Sequence, residues 1–270
     1  MEMTGKAIRL RKIFSHASGK CIIVPYSHAV LSGPQKGLEN TSVLRNTVAA
    51  LRPADGIVLP MGSVRHVSDL VGGRDQPVLL LHADWHPNAR TVLPSPRPAG
   101  AISIVTPEAA SAAGADGLMA YMYLGLNDPS EEHAEVSRIA ALALECERAG
   151  LVLIVESRSA QEHTKDPIAY DPKTIAMHAR IAAELGADIV KCVYSGSVES
   201  FKSAVEACPV PVVAAGGPKK DTPEGAVDMA RSVIQAGAAG IMFGRNVWQS
   251  SNPGELIKAL SSAVHDEMRV

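Results

Sequence analysis

Little in this chain marks it as a membrane, secreted, disulfide-bonded or nucleic-acid-binding protein. Its 270 residues hold four cysteines, Cys21, Cys146, Cys192 and Cys208, and none of them makes a C-x-x-C pair. That excludes the common dithiol and thiol-metal motifs; Cys146 and Cys192, set in apolar patterns, read as buried thiols in a reducing compartment. No charge of one sign dominates, with 26 basic side chains against 28 acidic ones and a net of −2. Such a balance gives no electrostatic reason to expect nucleic acid or a membrane surface as partner. Apolar runs such as Leu151 to Val155 fall far short of the ~20 residues a spanning helix needs. The basic start (Lys6, Arg9, Arg11, Lys12) has no apolar stretch behind it. That argues against a secretory signal and makes the cytoplasm the expected location. No low-complexity tract or linker divides the chain.

What is present is an ordinary enzyme composition, 46% hydrophobic, organised by a weak internal repeat. Ala54-Asp55-Gly56-Ile57-Val58, Ala115-Asp116-Gly117-Leu118-Met119, Ala187-Asp188-Ile189-Val190 and Ala238-Ala239-Gly240-Ile241-Met242 share one pattern, and Gly114, Gly186 and Gly237 precede the last three. The pattern describes a helix ending at a left-handed glycine, a short turn and an apolar strand. The repeats lie 61, 72 and 51 residues apart, and a βα unit needs roughly 30, so each interval holds two units. Four further apolar segments fill the gaps: Cys21 to Pro25, Val78 to His82, Leu151 to Glu156 and Val210 to Ala215. Near-continuous apolar strands predict a parallel sheet buried on both faces.

Between the strands the period turns helical. Glu131 to Ala149 stops at Gly150, and Asp171 to Leu185 has Asp171 as N-cap, Pro172 at its first position and Gly186 past its end. Eight units in about 250 residues predict a single-domain α/β fold, the (β/α)8 or TIM barrel. The barrel is expected over residues 21–270, with residues 1–20 as an extra segment closing its bottom. A doubly wound open sheet is the alternative, but no G-x-G-x-x-G follows the first strand.

In such barrels chemistry gathers at the C-terminal ends of the strands. Lys191 lies near that end of the sixth strand, flanked by Ile189, Val190, Cys192 and Val193. A cation is costly to bury there, so the surroundings favour the neutral amine, a nucleophile able to attack a carbonyl and form a Schiff base. If Lys191 points inward, so do Ile189 and Val193, and it meets Glu156 from the fifth strand and Tyr121 and Tyr123 from the fourth. Glu156 is the carboxylate best placed for proton transfer and Tyr123 the best phenol. The ends of the first three strands add His28 to the catalytic candidates and Ser27, Arg65 and Asp84 to the substrate contacts. Loops after the last strands often hold phosphate in this fold. Gly216, Gly217, Gly244 and Arg245, with Ser195 and Gly196 after the sixth strand, are the candidates for that role. Specificity is expected in the loops after strands 1 to 4, including residues 65–74 and 85–97. His82, Asp84 and His86 alternate, and in an extended segment would offer a metal face; this metal-assisted site is an alternative to the lysine chemistry, and a non-catalytic sugar-phosphate-binding barrel is another.

Several stretches carry a resemblance. Ala187 to Lys191, Glu199-Ser200-Phe201, Cys208 to Val213, Ala215-Gly216-Gly217-Pro218-Lys219, Gly244 to Gln249 and Asn252-Pro253 are similar to the archaeal-type class I aldolases. That group includes fructose-bisphosphate aldolases, 2-amino-3,7-dideoxy-D-threo-hept-6-ulosonate synthases and the thiolase that degrades phosphorylated autoinducer. The similarity runs from Ile8 to His265. It implies a (β/α)8 barrel, a Schiff base on Lys191 with no other cofactor, a phosphorylated ketose or keto-acid substrate, phosphate held after strands 7 and 8, and ring-shaped homo-oligomers, a decamer among them.

The chain also departs from the group. Where Pro-Met-Asp-His-Gly is usual after the first strand, it reads Pro25-Tyr26-Ser27-His28-Ala29, so Ser27 stands at the usual catalytic aspartate. A tyrosine usual just after the fifth strand is absent from Glu156-Ser157-Arg158-Ser159, whereas Tyr123 matches a tyrosine of the thiolase branch. The lysine is kept and its proton-transfer partners have changed. Aldol or transaldol chemistry on a substrate other than fructose bisphosphate is therefore expected, with Glu156 or Tyr123 moving the proton.

Overall fold

The aspartates of the internal repeat start the sheet. In the computed structural model, which describes residues 4–90, 92–93 and 98–266, Asp55 accepts the Ile22 amide at 2.7 Å and Asp188 the Leu153 amide at 2.7 Å. Each aspartate thus ties its own strand to the preceding one where the ladder begins, satisfying an amide that would otherwise be orphaned. Ten strands form among the described residues: β1 (Cys21–Pro25), β2 (Gly56–Leu59), β3 (Val78–His82), β4 (Asp84–Trp85), β5 (Ile102–Ser103), β6 (Gly117–Leu124), β7 (Val152–Ser159), β8 (Ile189–Val193), β9 (Val212–Ala215) and β10 (Gly240–Met242). Eight of them pair in parallel and close in the order β1-β10-β9-β8-β7-β6-β3-β2, with helices between them, a TIM barrel as expected.

Alternation along the strands builds two cores. Cys21, Ile23, Leu80, Met119, Ile154, Ile189 and Met242 fill the barrel interior, while Ile22, Val24, Leu79, Leu118, Val155 and Val190 pack outward under the helices. The seam between β10 and β1 is tight. A Cβ on Gly240 would sit 2.1 Å from the Cys21 carbonyl oxygen, so only glycine lets these two strands meet.

The helices begin and end as their sequence signals predict. Pro129–Ala149 starts behind the Asp128 N-cap and stops at Gly150 with φ 66°; Pro172–Glu184 is capped by Asp171, with Gly186 beyond its end at φ 104°. The helix Thr4–Ile13 lies against the N-terminal ends of the strands. Its Lys6 pairs with Glu147 at 2.8 Å and Asp188 at 3.0 Å, Lys12 pairs with Asp116 at 2.8 Å, and Arg9 donates to the Gly150 carbonyl.

One excursion was not expected. After β3 the chain forms the antiparallel pair β4–β5 outside the barrel ladder, and the loop expected to carry specificity over 85–97 lies partly outside the described residues. No described helix is long and apolar enough to cross a membrane.

Candidate active site

Register brings the chemistry together. Tyr121 of β6 stands level with Glu156 of β7, and Glu156 level with Lys191 of β8. All three are buried, Lys191 to 4% exposure and Glu156 to 2%. They face a cavity of about 330 Å³ at the C-terminal ends of the strands, also lined by His28, His86, Tyr123, Arg158, Gly216, Gly217, Gly244 and Arg245.

Within it a line of alternating charge runs from wall to rim. The Lys191 ammonium donates to Glu156 Oε2 at 2.5 Å, Arg158 Nη1 donates to Glu156 Oε1 at 2.9 Å, and Arg158 turns its Nε and Nη2 toward Glu162. Burial lowers the Lys191 pKa, and the positive charges of Arg158 and Arg245 add to this against the pull of Glu156. Burial works against ionisation of Glu156 as well, but Lys191 and Arg158 outweigh it and hold the carboxyl below its ordinary range. The result is an ionised carboxylate touching an amine that releases its proton more readily than an exposed lysine.

Tyr121 and Tyr123 stack with centroids 5.9 Å apart, and the His86 ring meets both edge-on. Burial raises both phenols, so each stays protonated and acts as a donor. His86 Nε2 lies 3.3 Å from the Tyr123 hydroxyl. Burial lowers the His86 pKa to about 4 and that of His28 to about 3, where Lys191 and Arg245 contribute too. Both imidazoles are therefore neutral at pH 7.

Across the cavity, Asn246 shapes the loop after β9. Its amide donates to the Gly216 carbonyl at 2.8 Å and accepts from the Lys220 amide at 2.7 Å, while Arg245 donates to the Gly217 carbonyl at 3.1 Å. The Gly244 backbone packs against His28, whose Cε1 would be 3.0 Å from a Cβ there.

Five candidates stand elsewhere. Ser27 is buried and does not line the cavity, sharing a hydrogen bond with His82 Nδ1 at 2.9 Å. Asp84 is fully buried and accepts from the Tyr121 amide at 2.7 Å and from Arg138 at 3.3 Å, so it braces β6. Arg65 is exposed and donates to the Gly62 carbonyl. Ser195 pairs with Ser200 at 2.7 Å, and Gly196 is exposed; neither lines the cavity.

His82, Asp84 and His86, the alternative metal face, are not gathered as one. Among the described residues no three His, Cys, Asp or Glu side chains are grouped to hold an ion. Asp84 is already engaged by β6, and His82 Nε2 is 3.2 Å from Asp84 Oδ1 without the alignment of a hydrogen bond. Arg158 and Glu162 are the residues that sequence reading missed. Arg158 was visible two positions after Glu156 and hence on the same strand face, but nothing local pointed to Glu162, which reaches it from the next turn.

Known proteins share this architecture. The profile of the DeoC/LacD family aldolases matches residues 21–250. An uncharacterized aldolase of Saccharolobus solfataricus is 31% identical over 264 residues, 98% of this chain and 96% of that one. A 2-amino-4,5-dihydroxy-6-oxo-7-(phosphonooxy)heptanoate synthase of Streptomyces griseus is 31% identical over 261 residues, covering 97% and 90% of the two chains. An archaeal fructose-1,6-bisphosphate aldolase, solved with its catalytic lysine covalently bound to the carbinolamine intermediate, superposes with a TM-score of 0.83 at 28% identity, covering 96% of this chain and 99% of its own. Such relatives set aside the non-catalytic barrel. The chain belongs to the DeoC/LacD family of aldolases, enzymes that make or break carbon–carbon bonds.

Proposed function

We propose that the protein is a Schiff-base aldolase or transaldolase that acts on a phosphorylated ketose or keto acid through Lys191. The observation that carries this reading is a buried lysine on an inward position of β8, 2.5 Å from an ionised carboxylate, at the wall of the cavity. The phosphate named in the Streptomyces relative and the bisphosphate named in the archaeal one support a phosphorylated substrate.

The chemistry begins when Lys191 gives its proton to Glu156 and the free amine attacks the substrate ketone. The carbonyl oxygen collects that proton from Glu156, then the proton that the attacking nitrogen sheds to the same carboxylate, and leaves as water, giving the iminium. Glu156 is the group in reach of both transfers. The iminium then draws electrons from the carbon–carbon bond as Glu156 takes the proton of the hydroxyl on the carbon beyond it. An aldehyde departs and an enamine remains on Lys191. Protonation of the enamine carbon and addition of water release the second fragment; in a transaldolase an acceptor aldehyde takes the place of the proton. Tyr123, protonated throughout, serves as donor to the oxygen that becomes the aldehyde, and neutral His28 hydrogen-bonds a substrate hydroxyl. Gly216, Gly217, Gly244 and Arg245 hold the phosphate, glycine backbones allowing close approach and the guanidinium adding charge. These steps call on no cofactor beyond the lysine itself.

Borohydride trapping with a panel of phosphorylated ketoses and keto acids tests the proposal. An adduct on the peptide carrying Lys191, absent from the Lys191→Met protein, is the expected result. Full turnover by Lys191→Met would overturn it. The ring-shaped homo-oligomer belongs to the same reading and is checked by sedimentation.

A further inference from the structure

The neutral amine that starts this chemistry sits beside a carboxylate, and a carboxylate at 2.5 Å stabilises the unreactive ammonium. Something must share the charge of Glu156, and Arg158 does so through Nη1 at 2.9 Å. Arg158 is the last inward residue of β7 before the rim, and its side chain is 30% exposed. Left to itself a guanidinium so placed gains hydration and rotamer freedom by turning outward.

Glu162 prevents that. It receives Arg158 Nε on Oε1 at 2.8 Å and Nη2 on Oε2, a forked pair with fixed geometry. Glu162 is itself anchored, since its Oε1 also accepts the Ser159 amide at 3.2 Å in a capping box that opens the turn Ala160–Thr164. The turn is fixed in turn to the end of β6, where Gln161 donates to the Gly125 carbonyl at 2.7 Å. A Cβ on Gly125 would lie 2.5 Å from the Gln161 side chain, so the two segments are in direct contact.

We propose that Glu162 is a positioning residue for the proton-transfer pair: gripping Arg158 from the rim, it holds the guanidinium against Glu156 and so frees the Lys191 amine from the full hold of that carboxylate. This deepens the reading of Lys191 as the Schiff-base nucleophile and rests on it. The titratable and charged groups around the pair come from several elements: Tyr121 and Tyr123 on β6, His28 after β1, His86 beyond β4, Arg245 after β10, Arg158 on β7, Glu162 and His163 on the turn Ala160–Thr164, and Tyr170 beyond it. The imidazoles of His28 and His86 are neutral and the phenols of Tyr121 and Tyr123 protonated near pH 7, and the side chains that bond or flank the pair with a full charge are Arg158, Glu162 and Arg245.

A readout that needs no substrate separates this inference from the proposed function. Reductive methylation of Lys191 with formaldehyde and cyanoborohydride, followed by peptide mass across pH, reports the pH at which the amine becomes free. Arg158→Met moves that limb to higher pH, and Glu162→Gln moves it in the same direction by about one unit, a tenfold loss of reactive amine below the limb. Because Glu162 acts only through Arg158, the double variant shows the shift of Arg158→Met alone. Arg158→Lys does not restore the wild-type limb, since an ammonium lacks the planar fork that takes both oxygens of Glu162 while reaching Glu156.

Glutamine at 162 keeps the acceptor for the Ser159 amide, so the turn is retained. Should thermal unfolding show otherwise, Glu162→Asp, which keeps the charge but withdraws it by one methylene, gives a smaller shift of the same sign. A limb that stays in place or moves to lower pH in these variants, or shifts that add in the double variant, overturns the proposal, whether or not borohydride traps any substrate.

Discussion

At the scale of single residues, the site is an arrangement of protons around Lys191. Replacing Glu156 with Gln removes the charge that holds the ammonium, so the amine becomes free at lower pH, yet turnover falls. The expected loss is about 10²–10⁴-fold in kcat, the usual contribution of a positioned acid/base, while borohydride still traps the imine if formation is allowed long enough. Measuring turnover and trapping together separates the two roles. His86 makes a different prediction. Its imidazole protonates near pH 6.5 in the unfolded chain but only near 4 when folded. The unfolded state therefore binds more protons between those values. Stability from this group is complete above pH 6.5 and declines as pH falls toward 4, by up to about 1.4 kcal/mol per unit. Urea unfolding at pH 7 and pH 5 checks it: His86→Phe, which cannot titrate, narrows the difference between the two midpoints.

At the scale of elements, caps and seams carry the predictions. Asn252 accepts the Glu255 amide at the start of the helix Pro253–His265, and Asn252→Ala should cost about 1 kcal/mol, read as a lower urea midpoint with an unchanged slope. Gly240→Ala is more severe. The added methyl meets the Cys21 carbonyl at the β10–β1 seam, so the variant loses the cooperative unfolding transition or shows it well below the wild-type temperature.

These elements were largely legible in the sequence, because their signals are local. Strands β1 and β3 fall where apolar runs placed them, and Gly150 and Gly186 end their segments in the left-handed region that only glycine adopts freely. The β4–β5 pair was not legible: two residues on each side carry no periodicity. The inward direction of Lys191 followed from alternation with Ile189. By contrast, the burial of Ser27 and Asp84 away from the cavity lining depends on His82, Arg138 and the Tyr121 amide, partners that are distant along the chain. The outward position of Arg65 likewise reflects the short helix Met61–Val64 that precedes it, which no strand-end rule anticipates.

At the scale of the whole molecule, the two ends of the barrel divide the work. Bonds at the N-terminal ends hold the architecture together: Lys6 bridges Glu147 and Asp188, and Asp188 in turn holds the Leu153 amide. Lys6→Met leaves Asp188 half-compensated and should lower stability by about 1–3 kcal/mol without moving the pH dependence of Lys191, which lies at the other end of its strand. The same pair of measurements, unfolding and reductive methylation, reads both effects.

The ladder that joins β6 to β7 is eight residues long, whereas β10 meets each neighbour over three. That inequality sets where the molecule breathes. Amide hydrogens along β6 and β7 should exchange with solvent only through the deepest openings, and those of β10 through shallow ones. The wall that carries Glu156 and Arg158 should then open less readily than the wall beside Gly244 and Arg245, so that the frame of the site yields first on its glycine side.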